Sequence, residues 1–222
     1  MRITSQMLDA SAQKAGVQIN HTLLDYVKAG KKGNTLQQVL SANKTSTKNA
    51  TQKKNYEKLD EAADSLAEQA AALMSEQEDS LFGKLAAEDT EENRNELYDA
   101  VEKLVDSYND TRKSLLTAQG TLNNYYAKLL KDAAEDAAES LAAIGITLDG
   151  GKMSLDIGKL KSVGLDVIQK ALGTDSTFME KTILLAEHAS DNAEAGIESL
   201  SSQYSANGVN YSARNSRYDS RG

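Results

Sequence analysis

The chain has 222 residues and a formal net charge of −8, and it contains no proline, cysteine or tryptophan. The absence of cysteine excludes disulfides, thiolate metal sites and a cysteine nucleophile, and the acidic balance argues against nucleic acid, which needs clustered Lys and Arg. Proline is the strongest helix breaker, so long helices are permitted, and with only 5% aromatic residues the core has to come from Leu, Ala, Val and Ile.

The N-terminal region, residues 1–46, shows only a loose apolar pattern, and we interpret it as an arm that is partly mobile and orders against a partner. The polar stretch 41–54 indicates a linker or a frayed helix start. No apolar run approaches the ~20 residues of a membrane span, and the first residues lack the apolar stretch of a cleavable signal peptide. The sequence therefore predicts no membrane insertion, and a protein that is cytoplasmic or exported without losing a leader.

From about residue 50 the apolar residues alternate at intervals of three and four, the pattern of a coiled-coil seam. An acidic stretch at 88–93 suits the start of a helix. We predict one unbroken helix over 92–143, in which Gly120 is the only weak point. The predicted seam comprises Leu59, Leu66, Leu73, Leu97, Val101, Leu104, Tyr108, Leu115, Leu122, Tyr125 and Leu129. The spacing is compatible with a bundle inside a monomer and with pairing between chains.

The region after this helix contains a change of period. Gly145 is a natural helix stop, and alternation on both sides of a Gly-rich turn predicts a small β-hairpin at 146–155. Asp156 is expected to cap a short helix that ends at Gly173, and a last helix starts near Asp175 with Thr177 and Glu180 at capping-box spacing. The predicted fold class is thus mainly all-α, with long antiparallel coiled-coil helices and a hairpin.

The corresponding domain organisation has three parts. Residues 1–46 form the arm, residues 47–203 form the helical bundle with a hairpin and short-helix subdomain at 144–173, and residues 204–222 form a disordered tail rich in Ser, Asn and Arg.

No motif for catalysis or for a cofactor is recognisable. The carboxylates alternate with Lys on predicted solvent faces, and His21 and His188 lack further ligands at metal-binding spacing. The string at 149–156 fails as a calcium loop, because Gly151 and Met153 occupy positions that need oxygen ligands. Strings typical of nucleotide-binding loops and of serine nucleophiles are absent from the sequence. We therefore expect a protein that is not an enzyme and takes no cofactor or metal.

A segment near the C-terminus resembles a known family. The string LAAIGITLDGGKMSLDIGKL at 141–160 is similar to the C-terminal region of the flagellar filament-capping proteins (hook-associated protein 2), and VEKLVDSYND at 101–110 looks like a helix of that family. The resemblance covers about residues 95–200, and the opening MRITSQML is weakly similar to flagellins. The β-rich insertion usual in that family has no counterpart in this sequence.

The resemblance implies a structural or assembly protein of the bacterial flagellar axis. Such a protein acts through coiled-coil helices, associates with itself and with flagellin or other axial proteins, and reaches the outside of the cell by leaderless export. An alternative is a cytoplasmic helical adaptor or chaperone that binds a partner helix. A coiled-coil spacer, in which length is the function, is a third interpretation.

Overall fold

A computed structural model describes the backbone of residues 35–202 and the side chains of residues 47–201. Within that range the protein is mainly α-helical with one small antiparallel sheet, which confirms the predicted fold class. The elements in chain order are α1 (Thr35–Met74), α2 (Leu81–Ala87), α3 (Glu91–Ala118), α4 (Thr121–Asp136), α5 (Ala138–Ala143), β1 (Ile146–Asp149), β2 (Lys152–Leu155), α6 (Ile157–Ser162), α7 (Leu165–Leu172) and α8 (Thr177–Ser202).

The chain divides into two compact units, residues 1–50 and residues 51–222, and the bundle described below belongs to the second unit. The predicted arm up to residue 34 and the tail from residue 203 lie outside the described residues. Between them, α1 already begins at Thr35, so the stretch 41–54 is helix. The linker interpretation of that stretch is therefore wrong.

The helices α1 and α3 lie side by side in antiparallel directions. The side-chain amide of Asn55 donates to the carbonyl oxygen of Thr117 at 3.5 Å, and further along the pair the hydroxyls of Ser65 and Ser107 are 3.0 Å apart. As the residue number rises on α1 it falls on α3. Small polar side chains at these contacts allow the two helices to approach closely.

The helices α3 and α4 form an antiparallel hairpin of helices around a two-residue turn. Gln119 and Gly120 both have positive φ angles, +58° and +96°, and they reverse the chain. The phenol of Tyr108 donates to the carbonyl oxygen of Leu130 at 3.1 Å, about equally far from the turn on each side. The predicted unbroken helix over 92–143 is therefore wrong, and a further break at Ala137 separates α4 from α5.

The physical reason for the reversal is burial. Continuing the helix through Gly120 would save the few backbone hydrogen bonds that a turn interrupts, whereas folding back brings α4 onto α3. Tyr108, Leu115 and Leu130 are then completely or almost completely shielded from solvent. Full burial of one such side chain is worth about 1.5–3 kcal/mol, so a few of them outweigh the cost of the turn.

The helix α8 completes the bundle, antiparallel to both α4 and α1. The side-chain hydrogen bonds that join it to α4 are Asn192–Asn123 and Lys181–Asp136. Ser190 of α8 bonds Asp60 of α1, and Thr174, shortly before α8, bonds Glu76, shortly after α1. The four long helices thus form a ring in the order α1, α3, α4, α8, in which every neighbour is antiparallel. This is the up-down-up-down four-helix bundle.

The predicted hairpin is confirmed, with Leu148 paired to Met153 and Asp149 to Lys152. The hairpin follows Gly145, whose φ of +90° ends the preceding helix. The side chain of Asn109 on α3 binds the free edge of β2 at two points, accepting from the Met153 amide at 2.8 Å and donating to its carbonyl oxygen at 2.9 Å. The part of the α3 surface around Asn109 and Arg112 is thereby covered, and the subdomain is fixed to the bundle.

The helices after the hairpin differ in detail from the prediction. Asp156 caps α6 as expected, accepting from the Lys159 amide at 3.0 Å, but the predicted single short helix is broken at Val163 and Gly164 into α6 and α7. The cap of α8 is Ser176, whose hydroxyl accepts from the Met179 amide at 3.4 Å. The predicted capping box at Thr177 and Glu180 is therefore wrong: the N-cap lies one residue earlier, and Met179 at the third helical position has no side-chain group to complete a capping box.

Candidate interaction surface

The eleven residues predicted to form the coiled-coil seam divide into two groups. Leu122 and Tyr125 are 46% and 54% exposed, and Leu129 is partly buried. The remaining eight are buried inside the bundle: Leu59, Leu66, Leu73, Leu97, Val101, Leu104, Tyr108 and Leu115. The part of the predicted seam that is buried within the chain thus runs along α1 and α3. Leu122 and Tyr125 remain accessible to another molecule.

The exposed seam residues belong to an apolar surface on the outer side of α4 and α8, which we call the α4–α8 strip: Leu122, Tyr125, Tyr126, Leu129 and Leu184. The ring centroids of Tyr125 and Tyr126 are 6.2 Å apart. The ring of Tyr126 stacks on His188 of α8 at 6.3 Å and an interplanar angle of 12°. Leu184, one helical turn before His188 and 53% exposed, extends the strip on α8.

A buried asparagine fixes which flank of α4 faces outward. Asn123 is only 2% exposed, and its amide donates to the carbonyl oxygen of Gln119 at 2.6 Å and accepts from Asn192 at 2.7 Å. Because a buried amide is costly unless its hydrogen bonds are made, these two contacts hold Asn123 in the interior. Its neighbours Leu122 and Tyr125 are consequently directed to solvent.

A second surface lies on the other side of the bundle. A polar groove of about 480 Å³ runs between α1 and α3, and we call it the α1–α3 groove. Its floor contains Ala62, Ser65 and Ser107, and the hydroxyl of Thr111 closes it by donating to the carbonyl oxygen of Ala62 at 2.8 Å. Its walls carry charged side chains from both helices: Lys58, Glu61, Asp110 and Lys113.

No group of three or more His, Asp or Glu residues within the described range could hold a metal ion. His188 is exposed on the bundle surface, and His21 lies outside the described residues. Burial raises the pKa of the Tyr108 phenol to about 12, but this group lies inside the core and donates its proton to a backbone carbonyl. None of the described helices is both long and apolar enough to span a membrane.

Two features of these surfaces escape the sequence pattern. Leu184 was not among the predicted seam residues, because its neighbour Leu185 fits the apolar stripe of α8 better. The charged residues of the α1–α3 groove do follow a pattern in the sequence: Lys58 and Glu61 are three residues apart on one helix, and Asp110 and Lys113 have the reverse order on the other. This pattern indicates a common surface only once the two helices are known to pair in antiparallel directions.

Comparison of the chain with protein-family models, with curated proteins and with solved structures finds no match.

Proposed function

We propose that this chain is a structural or assembly protein of the flagellar axial type, which associates with further copies of itself through the faces of its helices. The observation that carries the proposal is the α4–α8 strip. Tyr125, Leu122 and Leu184 are each about half exposed on one side of a bundle whose described interior is otherwise well filled with Leu and Ala. The occupant that fits this strip is the strip of a second copy, because Leu122, Tyr125 and Leu129 continue the three–four spacing by which helices of this chain already pair.

The physical basis of this association is modest and cooperative. Removing apolar surface from water stabilises a contact by about 25 cal/mol per Å², so a strip of three half-exposed side chains contributes a few kcal/mol. A contact of this strength is populated only where the local concentration of the protein is high. An axial assembly provides that condition, because many copies lie next to one another. The axial assignment is further supported by the resemblance over 95–200, within which the helix, hairpin, short helices and long helix follow one another in the described chain.

The proposal is tested on the full-length protein by measuring molar mass with light scattering across a dilution series. We expect the mass of the wild type to rise with concentration, and the double variant L122Q/Y125Q to have a lower mass at each concentration. In the source cells, shearing of surface appendages should release the wild-type chain with the filaments.

A matched control keeps the test specific. The variant L116Q/I157Q changes two other large apolar residues of similar exposure, 47% and 42%, that lie outside the strip, and it should associate like the wild type. A wild type that stays monomeric at all concentrations contradicts the proposal, as does equal loss of association in the control. Retention of the chain in the cell body after shearing contradicts the axial assignment.

A further inference from the structure

The charges of the α1–α3 groove are arranged in two levels along the bundle. The hydrogen bonds from Asn55 to Thr117 and between Ser65 and Ser107 fix the antiparallel register of the two helices. In that register Lys58 lies across from Ser114 and hence beside Lys113. We call these two lysines the basic level.

The acidic level follows about one helical turn further along. The contact of Thr111 with the carbonyl oxygen of Ala62 sets Glu61 close to the height of Asp110. Each step from the basic level to the acidic level is three residues, Lys58 to Glu61 and Lys113 to Asp110, or about 4.5 Å at 1.5 Å per residue. In this register Lys113 lies between the heights of Lys58 and Glu61, so opposite charges are about as near to one another as like charges. The groove is nonetheless basic at one end and acidic at the other.

All four of these charged side chains are exposed. None of the ion pairs among the described residues includes Lys58, Glu61, Asp110 or Lys113. Other charged residues of the same helices do pair, for instance Lys53 with Glu57 at 3.8 Å. Opposite charges three residues apart on one helix offset part of the repulsion between like charges. A partner with an acidic level and a basic level one turn apart, in the reverse order, complements the charge at both ends of the groove.

We propose that the occupant of the α1–α3 groove is the same groove of a second copy, related by a twofold axis perpendicular to the helices that passes between the two levels. Each basic level then faces the acidic level of the other copy: Lys58 meets the partner's Glu61, and Lys113 meets the partner's Asp110. An axis parallel to the helices would instead face lysines with lysines. Charge complementarity thus selects both the occupant and the direction of packing, and the contact is isologous.

The size of this face predicts a weak and salt-sensitive contact. Two helices, each about 10 Å across, over about 20 residues present about 600 Å², which is below the ~800 Å² per partner of a standard stable interface. The paired charges remain at the rim, where they determine register and are screened by salt.

The groove and the α4–α8 strip lie on opposite sides of the ring, since α1 and α3 are neighbours and α4 and α8 are neighbours. This inference rests on the proposed self-association and specifies it. Two twofold contacts on opposite faces do not close upon themselves, so they link copies into an open row in place of a closed dimer.

The test uses charge reversal in the L122Q/Y125Q background, in which the strip contact is removed and only the groove contact remains. Both K58E/K113E and E61K/D110K should raise the dissociation constant of the dimer at least ~10-fold, measured by sedimentation. An equimolar mixture of the two variants should recover association close to that of the parent, because a fully acidic groove then faces a fully basic one. Addition of salt should weaken the mixed pair.

The matched control K152E/K170E reverses two exposed lysines outside the groove and should leave the dimer unchanged, and circular dichroism checks that each variant is folded. If neither reversal changes association, or if the mixture fails to recover it, the groove does not bind a second copy. Loss of association in L122Q/Y125Q together with no effect of the reversals overturns this inference alone. The opposite outcome, an effect of the reversals and none of L122Q/Y125Q, overturns only the role of the strip.

Discussion

Gly145 shows at the residue scale how one position joins two parts of the chain. Its φ is +90°, and a Cβ added there would lie 2.8 Å from the carbonyl oxygen of Asp156. Its own carbonyl oxygen accepts a hydrogen bond from the Asp156 amide at 2.9 Å. The backbones of Gly145, which follows α5, and of Asp156, which caps α6, are therefore in direct contact. Gly120 has a similar φ of +96° but no atom within 4 Å of the added Cβ.

Alanine substitutions at Gly120 and Gly145 separate the cost of backbone strain, which both share, from the cost of steric overlap, which only Gly145 has. We expect G120A to lower the free energy of unfolding by about 1–3 kcal/mol, the cost of holding a non-glycine residue in an unfavourable φ region. G145A should cost about 1–3 kcal/mol more, because the contact with Asp156 forces the backbone to move. Urea denaturation monitored by circular dichroism measures both. Equal costs for the two variants would contradict the close approach at Gly145.

Local signals of this kind are the part of the structure that the sequence predicts well. The stop at Gly145, the turn at Asp149–Gly150–Gly151 and the cap at Asp156 depend on residues next to one another in the chain, and all three are confirmed. The contact between Tyr126 and His188, by contrast, joins residues 62 positions apart. Nothing in the sequence around either residue indicates that the two rings are in contact.

At the scale of elements, the hairpin is attached to the bundle by two buried apolar side chains, Ile146 and Met153, and by the side chain of Asn109. The two strands have only four residues each, and an isolated hairpin of that size is marginally stable at best. Asn109 supplies the missing neighbour of β2, since its amide takes the place of a third strand at Met153. Arg112 adds a bond from its guanidinium to the carbonyl oxygen of Gly150 at 3.1 Å.

Replacement of Asn109 therefore has a predictable cost. N109A removes two hydrogen bonds to a partly buried backbone and should lower the free energy of unfolding by about 2 kcal/mol, at about 1 kcal/mol for each bond. Hydrogen exchange should show faster exchange of the Met153 amide in particular. The control N124A removes an exposed asparagine with no comparable bond and should change stability by less than ~0.5 kcal/mol. Unchanged protection at Met153 would show that the clamp is dispensable.

The incorrect prediction of one helix over 92–143 also belongs to this scale. Leu115, Ala118 and Leu122 keep the three–four spacing across the turn, so periodicity alone cannot reveal that the chain reverses there. After the turn α4 buries a different face, which includes Asn123, Ala127, Leu130 and Ala134. The buried face of α4 carries mostly small side chains, which allow close packing against the neighbouring helices, and the larger Leu122 and Tyr125 remain on the exposed face. One of those neighbours is α8, which is distant in the sequence.

At the scale of the whole molecule, the ring of four helices encloses Tyr108. Its side chain is completely shielded from solvent, and its phenol donates to the backbone of α4. Burial of this group raises its pKa from the ordinary 10 to about 12, because the charged phenolate is poorly solvated in the core.

The stability of the bundle should therefore fall at high pH. The unfolded phenol ionises near pH 10 and the folded one only near pH 12, so the stabilisation is fully present below pH 10 and is lost as the pH rises through 12. The loss is on the order of 2 kcal/mol. Y108F should be less stable than the wild type at pH 7 by about 1 kcal/mol, for one hydrogen bond, and should lack this part of the decline. Urea midpoints between pH 7 and 11.5 measure it, and parallel declines would refute the assignment.

The order of the helices around the ring was beyond prediction from the sequence. The seam pattern on Leu59, Leu66 and Leu97 indicates which face of α1 and of α3 is apolar, but it says nothing of which helices pair or of which side α8 occupies. That is decided by contacts such as Asn192 with Asn123 and Ser190 with Asp60. Each is an ordinary polar pair whose partners are recognisable only once the chain is folded.

The alternation of direction around the ring has an electrostatic consequence. Every helix carries a partial positive charge at its N-terminus and a partial negative charge at its C-terminus. Because each long helix is antiparallel to both neighbours, the positive start of α3 lies at the same end as the negative finish of α4, and the macrodipoles oppose one another in pairs. Neither end of the bundle acts as a strong pole, so the orientation in which an approaching molecule is steered depends on side-chain charges along the flanks.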